Sequence, residues 1–275
     1  MLLGLMALVA SVVVAGGCTA DSTNPDFPAV GAVVDVEWEK MGEKPVGLAR
    51  PLVVLGGYHA PEGFAGGVAA RLARLTGAKE DEVLAVGFMF CDDFAEVSNA
   101  VVEAVEARWP SGSTEGTIEV DVVGISMGGL AARAAAMRWP VGDGAADGEK
   151  ARPVKRLRIA RLFTLATPHR GAALADVVAM DSLARDMKSG SAFLRSLDDG
   201  LGGGGYELVC YARTRDDIVG ARNTAPPGCE PIWVEGPLLF SHHFIQQDRR
   251  IMLDIARRLR GEAPIAVRGS VPPRD

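Results

Sequence analysis

From about residue 50 onward, apolar residues follow two alternating patterns. Short β-branched runs, apolar at nearly every position, predict strands buried on both faces at Pro51–Leu55, Val83–Phe90, Ile118–Gly124, Ile159–Leu165, Tyr206–Tyr211 and Ile232–Glu235. Between them, helical periodicity predicts helices over Phe64–Leu75, Ala95–Arg108, Leu130–Met137 and Asp248–Arg260. In the last of these, Ile251, Met252, Ile255 and Leu259 share one face. Such alternation implies an α/β fold with a mostly parallel central sheet and helices on both faces. Val33–Glu37 reads as an additional edge strand, and no internal repeat is visible.

Two segments interrupt the alternation. Val141 to Arg158 is polar, with several Gly, Asp and Lys residues, and reads as a solvated surface loop. Gly171 to Gly205 is longer than an ordinary connection. It holds apolar helical pieces at Leu174–Leu183 and Phe193–Leu197 before a glycine run, as expected of a short cap or lid inserted over a sheet. Packing without any movement is the plainer alternative for this insertion.

The N-terminus has neither pattern. Residues 1–17 are almost wholly apolar, carry no charged side chain and end in small residues before Cys18. A spanning helix needs about 20 apolar residues, so the stretch reads as an export signal peptide. Ala15-Gly16-Gly17-Cys18 resembles a bacterial lipobox, which implies a lipidated Cys18. Residues 18–30 are then the anchor cysteine and a polar tether, 31–265 the folded domain, and 266–275 a flexible tail. On this reading the protein is an exported lipoprotein on the periplasmic or extracellular face of a membrane.

Composition narrows the chemistry. The 275 residues are 48% hydrophobic, enough for one large domain. A net charge of -6 argues against a nucleic-acid partner, which wants a basic face. Aromatics are only 6%, too few for stacking platforms. No metal-ligand spacing links the cysteines, and with four histidines a zinc site is not expected. In an oxidising compartment Cys91, Cys210 and Cys229 can form one bridge at most, with Cys210–Cys229 the candidate.

One short stretch carries most of the chemistry. In Val120–Ala135 a buried strand passes directly into an alanine-rich helix, and Ser126 sits at the junction between Gly124 and Gly128. A turn that tight leaves no room for side chains at the two glycines and forces the serine outward. The first amides of the helix favour negative charge developing there. Ser126 is therefore a nucleophile or a helix cap. The strand–helix setting of Gly-Ile-Ser-Met-Gly favours the nucleophile.

At this point the chain resembles the α/β-hydrolases, and in particular the small bacterial lipases and lipase-like esterases. SMGGLAAR resembles their nucleophile elbow, and TLATPHRGA (Thr164–Ala172) a segment that follows the next strand. RDDIVGARN (Arg215–Asn223) resembles their acid loop, and SGSAFLRSL (Ser189–Leu197) a segment before it. The resemblance spans roughly residues 50 to 260. It implies an α/β-hydrolase fold and the triad order Ser, Asp, His. His169, in the TPHRG-like segment before the acid, is then structural. The base is His242 or His243. The family's apolar offsets fall on Ile245, Ile251 and Ile255 from His242, which favours it over His243. The D-x-x-V pattern favours Asp216 as the acid, with Asp217 the alternative. Asp92 and Asp93 precede the serine and read as helix caps. The oxyanion hole is expected at the amides of Met127 and Tyr58. The loop that carries Tyr58 has Gly56-Gly57 where those lipases carry His-Gly, and His59 is assigned no catalytic role.

The resulting expectation is a carboxylic ester hydrolase that needs no cofactor or metal. It would act on acyl esters or lipids through Ser126, His242 and Asp216 and an acyl-enzyme intermediate. Phe64, Met89, Met127 and the Leu174–Leu197 segment are candidates to line the acyl site. Acyl transfer or thioester hydrolysis would use the same triad. A non-catalytic binding lipoprotein on the same fold is the alternative from another class.

Overall fold

A computed structural model describes residues 26–29, 31–137, 155–201 and 205–267. The expected signal peptide, Cys18, most of the tether, residues 141–154 of the polar loop and the tail beyond 267 lie outside the described residues.

In chain order the elements are α1 (Gly31–Glu43), β1 (Leu52–Leu55), α2 (Glu62–Thr76), β2 (Val83–Val86), α3 (Phe94–Arg108), β3 (Gly116–Ile125), α4 (Met127–Ala136), β4 (Arg156–Leu165), α5 (Ala173–Val177), α6 (Ser182–Asp186), α7 (Ala192–Leu201), β5 (Glu207–Arg213), β6 (Ile232–Val234) and α8 (Arg249–Leu259). Local chemistry sets several boundaries. Asp93 caps α3, its Oδ1 accepting the Glu96 N–H at 2.8 Å, while Glu96 accepts the Asp92 N–H at 2.6 Å. The turn after α2 needs a left-handed residue, and Gly77 supplies φ 76° there.

The six strands form one parallel sheet in the order β2-β1-β3-β4-β5-β6. Side chains alternate between its faces, so adjacent residues of one strand enter different cores. Val53 and Leu55 of β1 join α3, α4, α6 and α7 on one side. Leu52 and Val54 join α1, α2 and α8 on the other. Both faces are covered, which explains why the strands read as continuous apolar runs.

The edge strand expected at Val33–Glu37 is instead part of helix α1. Its valines suggested a strand, but Val34, Trp38 and Met41 are the buried positions, spaced as one helical face. They pack into the α2 and α8 core, and the Arg249 guanidinium lies 4.8 Å from the Trp38 ring centroid. Strand β2 ends at Val86, short of the expected Phe90, because the chain turns under α2. Phe88 N–H donates to Ala60 O at 3.0 Å, and a Cβ on Gly87 would strike the backbone of Pro61 and Glu62.

The packed domain also exceeds the expected 31–265. Phe27 is buried, and Asp26 Oδ2 accepts the Trp233 N–H at 2.5 Å. Val267 N–H donates to Asp26 O at 2.8 Å, so the two ends of the domain meet. Arg156 to Arg158, expected in the polar loop, begin β4. Cys210 and Cys229 are not bridged.

Candidate active site

Strand order reverses between β1 and β3: from β1 the chain goes outward to β2, then returns to β3 and continues the other way. In an open parallel sheet the crevice opens at the carboxyl ends of such a pair. Ser126 follows β3 there, and Gly56 to Ala60 follow β1.

Ser126 has φ 53° and ψ -123°, outside the relaxed regions for a side-chain-bearing residue. Such a conformation costs about 1–3 kcal/mol and persists only where neighbours over-determine it. Here Ser126 N–H donates to Leu165 O at 2.8 Å, Thr167 Oγ1 donates to Ser126 O at 2.7 Å, and Gly129 N–H donates to the same oxygen at 3.2 Å. The glycines are sterically required. A Cβ on Gly124 would lie 2.5 Å from Gly129, and one on Gly128 would lie 2.5 Å from Leu55 O. Ser126 makes no side-chain cap bond to α4. Its hydroxyl is engaged elsewhere.

That partner is His242, whose Nε2 lies 3.0 Å from Ser126 Oγ. Its Nδ1 lies 2.9 Å from Asp216 Oδ2. Asp216 is buried, and its Oδ1 accepts the amides of Ile218 at 3.1 Å and Val219 at 2.8 Å. A carboxylate in that setting accepts, so Nδ1 carries the imidazole proton and Nε2 is left to accept from the serine hydroxyl. The loops that carry Asp216 and His242 are tied together. Ser241 Oγ donates to Thr214 O at 2.7 Å, and Gly236 N–H donates to Thr214 Oγ1 at 3.1 Å. Arg71 of α2 donates to Gln246 O at 2.7 Å and fixes the turn that follows His242.

Of the paired candidates, only one member of each reaches the relay. His243 is exposed and meets the His242 ring edge-on, with centroids 5.8 Å apart. Asp217 is exposed. His169 is fully buried and lies apart from the relay. Its Nδ1 is 3.0 Å from Arg133 Nη1 and its Nε2 is 3.1 Å from Thr164 Oγ1. Burial, aided by the charges of Arg133 and Arg170, holds its pKa well below the ordinary histidine value. It is therefore neutral. Among the described residues no cluster of His, Cys, Asp or Glu could hold a metal ion.

The β1 loop lies against the serine: a Cβ on Gly57 would sit 3.5 Å from Ser126 Cβ. Tyr58 follows at once, and Met127 opens α4, where first-turn amides have no acceptor within the helix. The Met127 side chain is buried in the core, which removes it from the expected acyl lining. Among the described residues, the non-glycine residues with positive φ are His59, Ser126, Ala166, Arg215 and Phe240. Each lies in a turn leaving the carboxyl end of a different strand, so backbone strain gathers at this edge.

Two contributors have no distinctive sequence signal. Thr167 clamps the elbow carbonyl, and Asp181, between α5 and α6, bonds both Tyr58 and His59.

No family model matches the chain, and no curated protein matches it in sequence. Among solved structures it is similar to the mature form of Bacillus licheniformis lipase BlEst2. Identity is 14%, the match covers 74% of this chain and 89% of that one, and the TM-score is 0.48. It is also similar to phospholipase PlaB from Legionella pneumophila, at 13% identity and a TM-score of 0.41. That match covers 58% of this chain and 38% of PlaB. With an all-parallel six-stranded sheet, helices on both faces, a short helical insertion and a strained serine between its third strand and the following helix, the chain has an α/β-hydrolase fold.

Proposed function

We propose that the protein is a serine hydrolase that cleaves carboxylic esters. One observation carries this: the continuous Ser126 Oγ–His242 Nε2 and His242 Nδ1–Asp216 Oδ2 relay, at 3.0 and 2.9 Å. Ser126 Oγ attacks the ester carbonyl as His242 Nε2 takes its proton. Asp216 orients the imidazole and stabilises the imidazolium that forms. The carbonyl oxygen becomes an oxyanion, received by the Tyr58 and Met127 amides and the α4 N-terminus. The tetrahedral intermediate collapses, the alcohol leaves with the proton from His242, and an acyl-Ser126 ester remains. Water then attacks the acyl carbon, giving its proton to His242. Collapse of the second intermediate releases the acid, and the proton returns to Ser126 Oγ.

Exposed apolar side chains support an acyl or lipid substrate. Phe90, Met180, Leu238, Leu239 and Phe240 lie on loops beyond the carboxyl ends of strands, and Val177 ends the short helix α5 on the same side. Phe64 and Met89, also expected to line the acyl site, are partly exposed on the β1 and β2 sides of the same edge. An exported protein tethered through a lipidated Cys18 would meet acyl esters at a membrane. Among the described residues no helix is long and apolar enough to cross one.

The test is fluorophosphonate labelling of the full chain with peptide mapping, alongside hydrolysis of short and long p-nitrophenyl esters. The expected result is a label on Ser126 and ester turnover that Ser126→Ala abolishes. His242→Ala should lose at least about a thousandfold in kcat, while His243→Ala stays within about threefold. Turnover surviving in Ser126→Ala sinks the assignment.

A further inference from the structure

The loop that carries Tyr58 is pinned by backbone bonds at its two ends, Gly56 N–H to Val86 O at 2.9 Å and Phe88 N–H to Ala60 O at 3.0 Å, and Tyr58 and His59 lie between them. His59 has φ 45°, a conformation that relaxes unless something retains it. The Ala60 N–H to Gly57 O bond, 3.1 Å, closes the turn but does not fix its direction. The side chains supply that direction. Tyr58 Oη donates to Asp181 Oδ2 at 2.5 Å, and His59 Nε2 lies 2.9 Å from the same oxygen. The two rings stand 4.3 Å apart and tilted by 55°, so both converge on one carboxylate oxygen.

The anchor is itself tied into the insertion. Asp181 Oδ1 accepts the Ala184 N–H at 2.8 Å and caps α6. Leu183, Ala184 and Met187 are buried, and Met187 O accepts the Ala172 N–H at 2.8 Å. The carboxylate therefore sits on a piece of the insertion that is itself part of the core.

We infer that Asp181 is a positioning residue for ester hydrolysis: it holds the Tyr58 amide in the oxyanion hole by clasping the Tyr58 and His59 side chains from the insertion. This rests on the ester-hydrolase reading of Ser126. The clasp makes the hole depend on the insertion, since displacing α6 frees the loop that carries one of its two donors. Protonation states suit it at neutral pH. Burial and the neighbouring Asp181 push the Tyr58 phenol up to about 12, so it remains a donor. Burial alone would raise the Asp181 pKa, but bonds from Tyr58, the Ala184 amide and His59 outweigh it and lower the pKa, so the carboxylate remains an acceptor.

The experiment uses the full chain and p-nitrophenyl butyrate. Tyr58→Phe keeps the ring and the backbone amide and loses only the hydroxyl. Asp181→Ser keeps a helix cap but cannot reach Tyr58. Each should lower kcat about tenfold to a hundredfold, as expected for a loosened rather than deleted oxyanion donor, with KM within about threefold. The double variant should be no worse than the weaker single, because both break one clasp. Asp181→Asn, which still accepts from the phenol, should recover part of the loss. Deuterium exchange at residues 56–60 should rise in both single variants. Unchanged kcat, losses that multiply, or losses confined to KM overturn the positioning role. A wild type without Ser126-dependent turnover overturns the hydrolase reading and the catalytic half of this inference with it. Exchange at 56–60 then judges the clasp alone, and unchanged exchange overturns it.

Discussion

Replacing Gly128 with alanine tests how closely Ser126 and the loop after β1 are fitted together. The added methyl would lie 2.5 Å from Leu55 O and 2.6 Å from Gly56 O. Both obstacles are backbone, so no side chain can swing aside. Reaching ordinary contact near 3.4 Å needs about 0.9 Å of separation between α4 and the end of β1. Two consequences follow from that shift. Overpacking of this kind costs about 1–3 kcal/mol, which is about 2–12 °C in Tm for a domain of this size. Displacing Ser126 from the Tyr58 amide by about 1 Å should also cost about a hundredfold in kcat. The assay is urea or thermal unfolding, together with steady-state hydrolysis of a short p-nitrophenyl ester. Gly67→Ala is the control. Gly67 lies on the exposed side of α2 with nothing within 4 Å of an added Cβ, so alanine there should stabilise by up to about 1 kcal/mol and leave kcat unchanged. A Gly128→Ala protein with wild-type stability and kcat would refute the steric account of the elbow.

Two further predictions concern buried polar groups. His169 is neutral in the fold, with its pKa depressed, whereas in the unfolded chain it binds a proton near pH 6.5. The unfolded state therefore binds more protons below that pH. The contribution of His169 to stability is intact above about pH 6.5 and declines as pH falls, by up to about 1.4 kcal/mol per unit. Urea unfolding between pH 7 and 5 should show this slope in the wild type and a flatter one in His169→Gln, and equal slopes would refute it. Asp254 is completely buried and accepts from Tyr211 Oη at 2.7 Å, Arg258 Nε at 2.8 Å, and the Ile265 and Ala266 amides at 2.8 Å each. Asp254→Ala leaves these donors unpaired and should cost about 3–5 kcal/mol by urea denaturation; a loss under about 1 kcal/mol would count against the network.

Local pattern was a good guide where one residue type had one physical reason to be there. Strand segments buried on both faces are mostly apolar, so β1 and the carboxyl-terminal halves of β3 and β4 were legible as runs, and the Gly-Ile-Ser-Met-Gly turn was legible because only glycine clears Gly129 and Leu55 O. Helix α1 was misread because valine suits either element; the deciding fact is that Trp38 and Met41 follow Val34 on one face against α8, a contact made across the whole chain. His242 and His243, like Asp216 and Asp217, cannot be told apart by composition because neighbours in sequence have the same chemistry. The tertiary structure brings Ser126, His242 and Asp216 into hydrogen-bond contact and leaves His243 and Asp217 exposed. Asp181 had no signal at all: it is one acid among many until folding carries it across 123 residues to the Tyr58 hydroxyl. Sequence alone thus determined which backbone shapes were allowed, because steric and burial rules act on neighbours along the chain. Only the tertiary structure decided which polar groups meet, because hydrogen bonds depend on distances that the chain sets by closing on itself.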